Sequence, residues 1–584
     1  MKMEICFVGP LGKVTGSCAW MRDGNRGWNF LVDCGMQQGE FGAQEWNSSR
    51  NWPFDPKALQ FVVLTHAHID HSGLIPLLYK LGFSGEVYCT KETAELAQLL
   101  LRDSAQFPEA PYDMSDVSRV KWRIHGGKTQ LGKYLPVDDD LFLMFCRSGH
   151  ILGATNVSIF WGAPGPDQRS IAFSGDVAPG AEDAEVLPFL RYSQHPKPAN
   201  FAVLEATYGN VVRNAEERSP VFRRRRLQDL LDVILDSGGT LAIPAFSVGR
   251  IQDVMFDLHR IVAEHPDRYS GIVYYLDSQS AIEVNKITLA ALSEMQITKH
   301  TGKVRPLWLG KQLFRELGLD GKDPMHLKQV LAICNMTLNG PEPVCTKFET
   351  GNAVARNWRA LFSPVGNRCE LIGTKEARPK VVLMTSGTCD GGPARKWLPQ
   401  LATDDRNVIA LSGYCAPATV GGQFLEIQNV SLQERQLLNK KIIWPGESRA
   451  TLPLCDVKAS ICKLEGYSAH GDQADLVNWV FENHRGQKRQ SMGKTVFLQH
   501  GGNAQRKSLK MALLERAEDW GLDVKVEIPD SASGWYDLEC RDAAGNRRVG
   551  RQEIEAQIRL LQKALVAAPS HRNNYDEISK IKYP

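Results

Sequence analysis

Short apolar runs recur along this chain, each stopping at a histidine or an aspartate close to glycine. LQFVVL (59–64) is apolar and β-branched and reads as a buried strand. It leads into THAHIDHSG (65–73), where three histidines and an aspartate fall within six positions. SGLIPLLYKLGF follows with helical patterning, and Pro76 is tolerated if it sits in the first turn. The cluster is therefore expected on a strand-to-helix turn at the carboxyl end of a strand, the edge where open α/β sheets place ligands. FLVDCG (30–35) ends a strand at Asp33, and LFLMFC runs into RSGHILGAT (147–155) with His150. In RSIAFSGDVAPG (169–180) a strand ends at Gly175 and Asp176, and in VFLQHGGN (496–503) one ends at His500 and two glycines. An aspartate beside glycine is by itself an ordinary turn; the recurrence is what points to a site.

Further along, PVFRRRRLQDLLDVIL (220–235) and residues 249–263 read as helices. TLAIPAF, GIVYYLD, KVVLMTSG and NVIALSGY read as strands, the last two running into glycine. Strands alternating with helices predict a parallel α/β domain. Residues 299–378 are richer in Gly, Pro and charge and lack clear periodicity, so loops and short helices are expected there. In the tail RQEIEAQIRLLQKALV (551–566), Ile554, Ile558, Leu561 and Leu565 recur at helical spacing. Such a face packs on the body or on a partner, and a homodimer is one assembly it allows. Four consecutive arginines, 223–226, point around all faces of a helix, so some must be solvated.

Crowded imidazoles repel one another once protonated, so the cluster at 65–73 makes sense if metal ions occupy the lone pairs. In an extended loop positions 66 and 68 point the same way, which lets His66 and His68 share one metal while Asp70 and His71 face a second. Two metals need more than four ligands, and each takes about four to five donors. The chain has only 14 histidines, so His150, Asp176, His500 and Asp33 at the strand ends are the candidates for the rest.

Composition narrows the class. The 584 residues are enough for several domains, and 43% hydrophobic with 23% charged is ordinary for a globular chain. A net charge of +3 gives no general affinity for polyanions. Thirteen cysteines without a C-x-x-C pair argue against a disulfide framework and against a thiolate zinc site. No apolar run is long enough to span a membrane, and MKMEICFVGP does not read as a signal peptide. A cytoplasmic protein with reduced thiols is expected.

Together these strand ends resemble the metallo-β-lactamase superfamily. The resemblance implies a four-layer αββα sandwich with two metals at one sheet edge. His66, His68, His150 and Asp176 would hold the first, and Asp70, His71, Asp176 and His500 the second, with Asp176 bridging and Asp33 supporting the ligands. Two zinc ions per chain are expected; manganese or iron suit the same donors.

About 265 residues separate Glu205 from the block containing His470. Between them lie ATYGN (206–210), IPAFSVGRIQDVM (243–255), YYLDSQSA (274–281), VLMTSGTCDGG (382–392) and IALSGYCAPATVGGQF (409–424), and then KLEGYSAHGDQADL (463–476). These strings are similar to those of the β-CASP nucleases, and FVGPLGKVTGSC (7–18) looks most like the pre-mRNA 3′-end endonuclease and its prokaryotic relatives. The resemblance covers roughly residues 1–530 and implies an inserted parallel α/β cap over the metals. It implies a ribonuclease, endonuclease or 5′-exonuclease, in which a hydroxide activated by two metals attacks the phosphodiester. His470 would be the general acid, oriented by Glu205, with Asp33 and Asp70 in the same catalytic set. Ser386, Thr388 and Arg250 would contact substrate phosphates. His500 at the third motif favours RNA, with DNA the alternative substrate and a non-catalytic nucleic-acid-binding pseudo-nuclease the alternative role. The resemblance implies an arginine at the position of Gly422 in most relatives, so one phosphate contact is expected to be missing. The expected division is 1–207 and 431–530 for the sandwich, 208–430 for the cap and 531–584 for a partly helical extension.

Overall fold

Alternation of apolar and polar positions decides which faces the strands bury. In the strand Met3–Phe7 every second residue is buried, whereas Phe61–Val63 is buried throughout because it is covered on both faces. The computed structural model describes residues 2–38, 43–107, 109–125, 131–165, 167–179, 196–293, 295–297, 304–306, 361–365, 371, 378–445, 450–482, 493–530 and 533–539. The first sheet has seven strands in the order Trp535–Asp537, Met3–Phe7, Ala19–Asp23, Trp28–Val32, Phe61–Val63, Glu86–Cys89 and Trp122–Ile124. The second also has seven, in the order Lys525–Glu527, Thr495–Gln499, Phe201–Glu205, Arg169–Phe173, Thr155–Trp161, Leu141–Arg147 and Leu135–Asp138. Ile5, Phe30 and Val63 of the first pack with Leu143, Ile159, Phe173 and Phe497 of the second. Helices close the outer faces. Ile75–Lys80 and Lys91–Ser104 cover the first sheet, and Gln473–Phe481 and Asn503–Asp519 cover the second. The result is a four-layer αββα sandwich.

A third sheet belongs to the insertion. Its six strands run in the order Phe362–Pro364, Val273–Asp277, Lys380–Met384, Thr240–Pro244, Val408–Leu411 and Ser460–Lys463, and every pairing is parallel. Helices Pro220–Ser237 and Arg250–Glu264 pack on one face. Ala394–Leu401 and Val420–Glu426 pack on the other. Helix Lys91–Ser104 of the sandwich lies against Gln279–Ser293 of the insertion, which ties the two parts together.

Two boundaries differ from the sequence-based ones. Strand Ser460–Lys463 pairs with Val408–Leu411, and Ile442, Trp444, Leu452 and Leu454 pack into the cap core. The inserted unit thus continues about thirty residues beyond position 430. Strand Trp535–Asp537 pairs with Met3–Phe7 at the edge of the first sheet, so the sandwich extends past 530. Strands of three or four residues are too short to show a period. The tail 551–566 and most of 299–378 lie outside the described residues. Among the described residues no helix is long and apolar enough to cross a membrane.

Candidate metal centre and catalytic cleft

Strand Phe61–Val63 ends in an extended stretch, and the four-residue helix Ile69–Ser72 then turns Asp70 and His71 to the same side as His66 and His68. Glycine makes the turn feasible. At Gly35 a Cβ would stand 1.6 Å from the Asp70 carbonyl oxygen, so only hydrogen fits between the two loops. Ser17 and Cys34 donate backbone N–H bonds to the Asp70 and His71 carbonyls and fix the same junction.

Two clusters of ligand atoms form there and meet at one carboxylate. In the first, His68 Nδ1 is 3.2 Å from His66 Nε2 and 3.1 Å from His150 Nε2. Asp176 Oδ2 is 3.4 Å from each of those two Nε2 atoms. In the second, His500 Nε2 is 3.2 Å from His71 Nε2 and 3.3 Å from Asp70 Oδ2. Asp176 Oδ1 completes it, 3.3 Å from His71 Nε2. A tetrahedral site with bonds of about 2.0–2.1 Å has edges of roughly 3.3–3.4 Å. The observed separations match the edges of such a polyhedron.

Hydrogen bonds on the far side of the rings fix the tautomers. His150 Nδ1–H donates to the Ala469 carbonyl at 2.9 Å. Thr65 Oγ1–H donates to Asp33 Oδ2 at 2.9 Å and so accepts from His66 Nδ1–H at 3.1 Å. Asp33 Oδ2 also accepts from His71 Nδ1–H at 2.8 Å. Thr207 Oγ1 takes the Nδ1–H of His500 at 3.0 Å. Each of these four rings is left with an Nε2 lone pair aimed into a cluster. Asp176 Oδ1 is fully buried with no hydrogen-bond partner, an arrangement a cation would relieve. The donor set therefore fits divalent metals.

Electrostatics agree with that fit. Desolvation, reinforced by His66, pushes His68 down to about 3. Burial also lowers His66, with His71 adding to it, and holds His150 well below the usual value. These rings are neutral at pH 7, the form in which an imidazole can bind a metal. Burial opposes charge on Asp176, but His500, His71 and His66 outweigh it and hold its carboxyl well below the usual range. His71 goes the other way: burial lowers it, yet Asp176 and Asp33 raise it well above normal.

His470 stands at the mouth, its side chain 20% exposed. It arrives on the loop after Ser460–Lys463, from the carboxyl edge of the cap sheet. Its Nδ1–H donates to Glu205 Oε2 at 2.9 Å, and its ring lies 4.6 Å from that of His150. Glu205 is buried, and its other oxygen accepts the Val177 N–H. Desolvation disfavours the imidazolium, but Glu205 and Asp176 more than compensate and raise His470 to about 9.

The cap residues approach from the same edge. Ser386 and Thr388 follow strand Lys380–Met384, and their hydroxyls are 3.4 Å apart and half-buried. Arg250 opens its helix after Gly249, where a Cβ would stand 2.9 Å from Ile151 Cγ2, beside His150. Its Nε is buried without a hydrogen-bond partner. The arginine run divides: Arg223 and Arg224 are buried, while Arg225 and Arg226 are exposed. Arg223 makes a bidentate pair with Asp257, at 2.6 and 3.1 Å. At Gly422 a Cβ would be 2.2 Å from the Ala416 carbonyl oxygen, so this backbone has no room for any side chain at that position. Thr65, Thr207 and the Ala469 carbonyl escaped the sequence reading. Thr65 and Thr207 lie within THAHIDHSG and ATYGN, but nothing in a hydroxyl's position in sequence says which ring it will orient.

A model of the metallo-beta-lactamase superfamily matches residues 11–238. A model of the Beta-Casp domain matches residues 251–424. The chain belongs to the metallo-β-lactamase superfamily, in its β-CASP branch. It is 27% identical to Ribonuclease TTHA0252 of Thermus thermophilus over 522 residues, covering 89% of this chain and 98% of that protein. It is also similar to proteins named Transcription termination factor FttA. Identity to that of Lokiarchaeum sp. is 24%, covering 87% of this chain and 68% of the relative. For that of Methanosarcina mazei the values are 26%, 81% and 63%. Membership of the superfamily implies binding of divalent metal at this cluster.

Proposed function

We propose that this β-CASP protein is a zinc-dependent ribonuclease that hydrolyses phosphodiester bonds between its two domains. The observation that carries the reading is the His470–Glu205 pair, 2.9 Å apart at the rim of two clusters that both meet Asp176. His66, His68, His150 and Asp176 would hold one ion, and Asp70, His71, Asp176 and His500 the other. Ions held there would supply the Lewis acidity that makes water nucleophilic near neutral pH and offsets charge on the phosphoryl oxygens.

The remaining roles fall to side chains. With Nδ1–H engaged by Glu205, His470 presents Nε2–H to the cleft, and Glu205 keeps the ring protonated. The proton passes to the departing O3′ as the P–O3′ bond breaks, leaving 3′-hydroxyl and 5′-phosphate ends. Ser386, Thr388 and Arg250 bind flanking phosphates, and Asp33 keeps His71 in its ligand tautomer. The reading of RNA as the substrate is supported by the name of the relative covered over nearly its whole length, a ribonuclease.

Wild type and His470→Ala, each assayed for bound metal and incubated with matched end-labelled RNA and DNA, test the reading. Two metals per chain in both, with RNA cut about 100-fold or more slowly by the variant, is the expected result. Preferential cutting of DNA would overturn the substrate, and cleavage at an equal rate by the variant would overturn the acid.

A further inference from the structure

The carboxyl edge of the cap sheet faces the metal centre at two points: His470 reaches the clusters from the loop after Ser460–Lys463, and Gly249 abuts Ile151. Phe246 sits on that edge, just after the central strand Thr240–Pro244. Ala245 and Val248 are buried, yet Phe246 is 37% exposed. The ring is nonetheless held. Its Cδ2–Cε2 edge lies between Gly387 and Gly413, which follow the two neighbouring parallel strands. A Cβ at Gly387 would stand 3.0 Å from Cδ2, and one at Gly413 2.9 Å from Cε2. Glycine at both positions leaves a slot for the ring edge, and at Gly387 also for the Phe246 backbone nitrogen, 3.0 Å from such a Cβ. Ser386 and Thr388 are the residues on either side of Gly387, so the partly exposed ring lies one residue from each of them. Tyr414, next to Gly413, is 50% exposed.

We propose that Phe246 is a stacking platform for an unpaired nucleobase, a positioning and specificity residue for the ribonuclease reaction. This rests on the function proposed above and deepens it. A nucleotide whose phosphate meets the Ser386 and Thr388 hydroxyls carries its base one sugar away, within reach of the ring. Aromatic faces accept any base, so the platform favours single strands over paired ones without selecting sequence. An edge clamped between two glycines loses little freedom on stacking, which is the economy of a pre-organised site.

The test is a cycle between enzyme and substrate. Wild type, Phe246→Leu and Phe246→Tyr are assayed on short single-stranded RNAs, each carrying one abasic ribonucleotide at a successive position. Leucine keeps the slot filled but removes the ring; tyrosine restores it. The expected result is that Phe246→Leu raises KM for intact RNA by about tenfold, with a smaller change in kcat, and that Phe246→Tyr recovers most of the loss. One abasic position should cost wild type a similar factor and cost Phe246→Leu almost nothing more. If Phe246→Leu and the abasic sites act independently at every position, Phe246 is only a structural plug and the inference is wrong. If wild type cuts none of the RNAs, the ribonuclease reading itself fails, a different result.

Discussion

Asp33→Asn separates metal binding from folding. Asp33 is buried and has φ near +60°, a conformation asparagine tolerates better than most residues. Its Oδ1 accepts the Thr65 N–H at 2.8 Å, while Oδ2 accepts both Thr65 Oγ1–H and His71 Nδ1–H. An amide oxygen in place of Oδ1 keeps the first bond. The amide NH2 then replaces Oδ2 and points two protons at donors. Thr65 can rotate its hydroxyl and accept. His71 has no such freedom: it must move its proton from Nδ1 to Nε2, the atom that faces His500 and Asp176. The second cluster thereby loses a ligand lone pair, while the first keeps all four donors. Loss of a partner behind a metal-bound imidazole typically costs about 10–100-fold in affinity, or about 1.4–2.7 kcal/mol. The metal-free fold, in which Asp33 helps keep His71 protonated, should lose about 1.5–3 kcal/mol, one charge-assisted hydrogen bond. Chelator-competition titration with zinc should show one site near wild-type affinity and one weakened, with thermal unfolding in chelator shifted by only a few degrees. Two sites of unchanged affinity in Asp33→Asn would refute the tautomer assignment for His71.

At Gly35, a Cβ 1.6 Å from the Asp70 carbonyl cannot be accommodated without moving the ligand turn, so Gly35→Ala should retain less than one zinc per chain by elemental analysis. In the buried Arg223–Asp257–Tyr467 group, Asp257→Ala leaves the Arg223 charge unpaired and should lower unfolding stability by about 3–5 kcal/mol. Tyr467→Phe removes only the hydroxyl that donates to Asp257 at 2.7 Å and should cost about 1–2 kcal/mol in the same denaturant titration. His259, in the cap, is pushed down to about 4 by burial, only partly offset by its hydrogen bond to the Met255 carbonyl. Its folded pKa lies below its unfolded one, so the stability it contributes is full above about 6.5 and is lost as pH falls toward 4, about 3 kcal/mol in all. Unfolding curves of wild type and His259→Asn between pH 7 and pH 4 should converge by roughly that amount.

What could be read in advance follows how local each feature is. His66, His68, Asp70 and His71 share one turn, so the sequence alone brings them together. His150, Asp176 and His500 each end an apolar run, which marks a sheet edge but not which edges meet. Glu205 and His470 are 265 positions apart, and only family resemblance joined them. The pairing of Arg223 with Asp257 depends on how helices Pro220–Ser237 and Arg250–Glu264 cross; a run of four arginines says only that not all can face water. Thr65 and Thr207 act through hydroxyl direction, which tertiary packing sets. The two shifted boundaries fall on strands of three or four residues, shorter than any period they could display.

The crowding of histidines at 65–73 has a physical resolution in burial. Protons and metal ions compete for the same imidazole lone pairs. In water a histidine near neutral pH gives up part of its lone-pair population to protons. Here desolvation and mutual repulsion suppress protonation at His66, His68 and His150, while the same neighbours keep Asp176 ionised. Repulsion that would destabilise a protonated cluster thus favours a metal-bound one, because a divalent ion answers to several rings at once and a proton to one. His470 escapes this suppression because its partner is a carboxylate, Glu205, and not another imidazole. Two kinds of histidine, neutral rings and a protonated one, follow from which neighbour each ring was given.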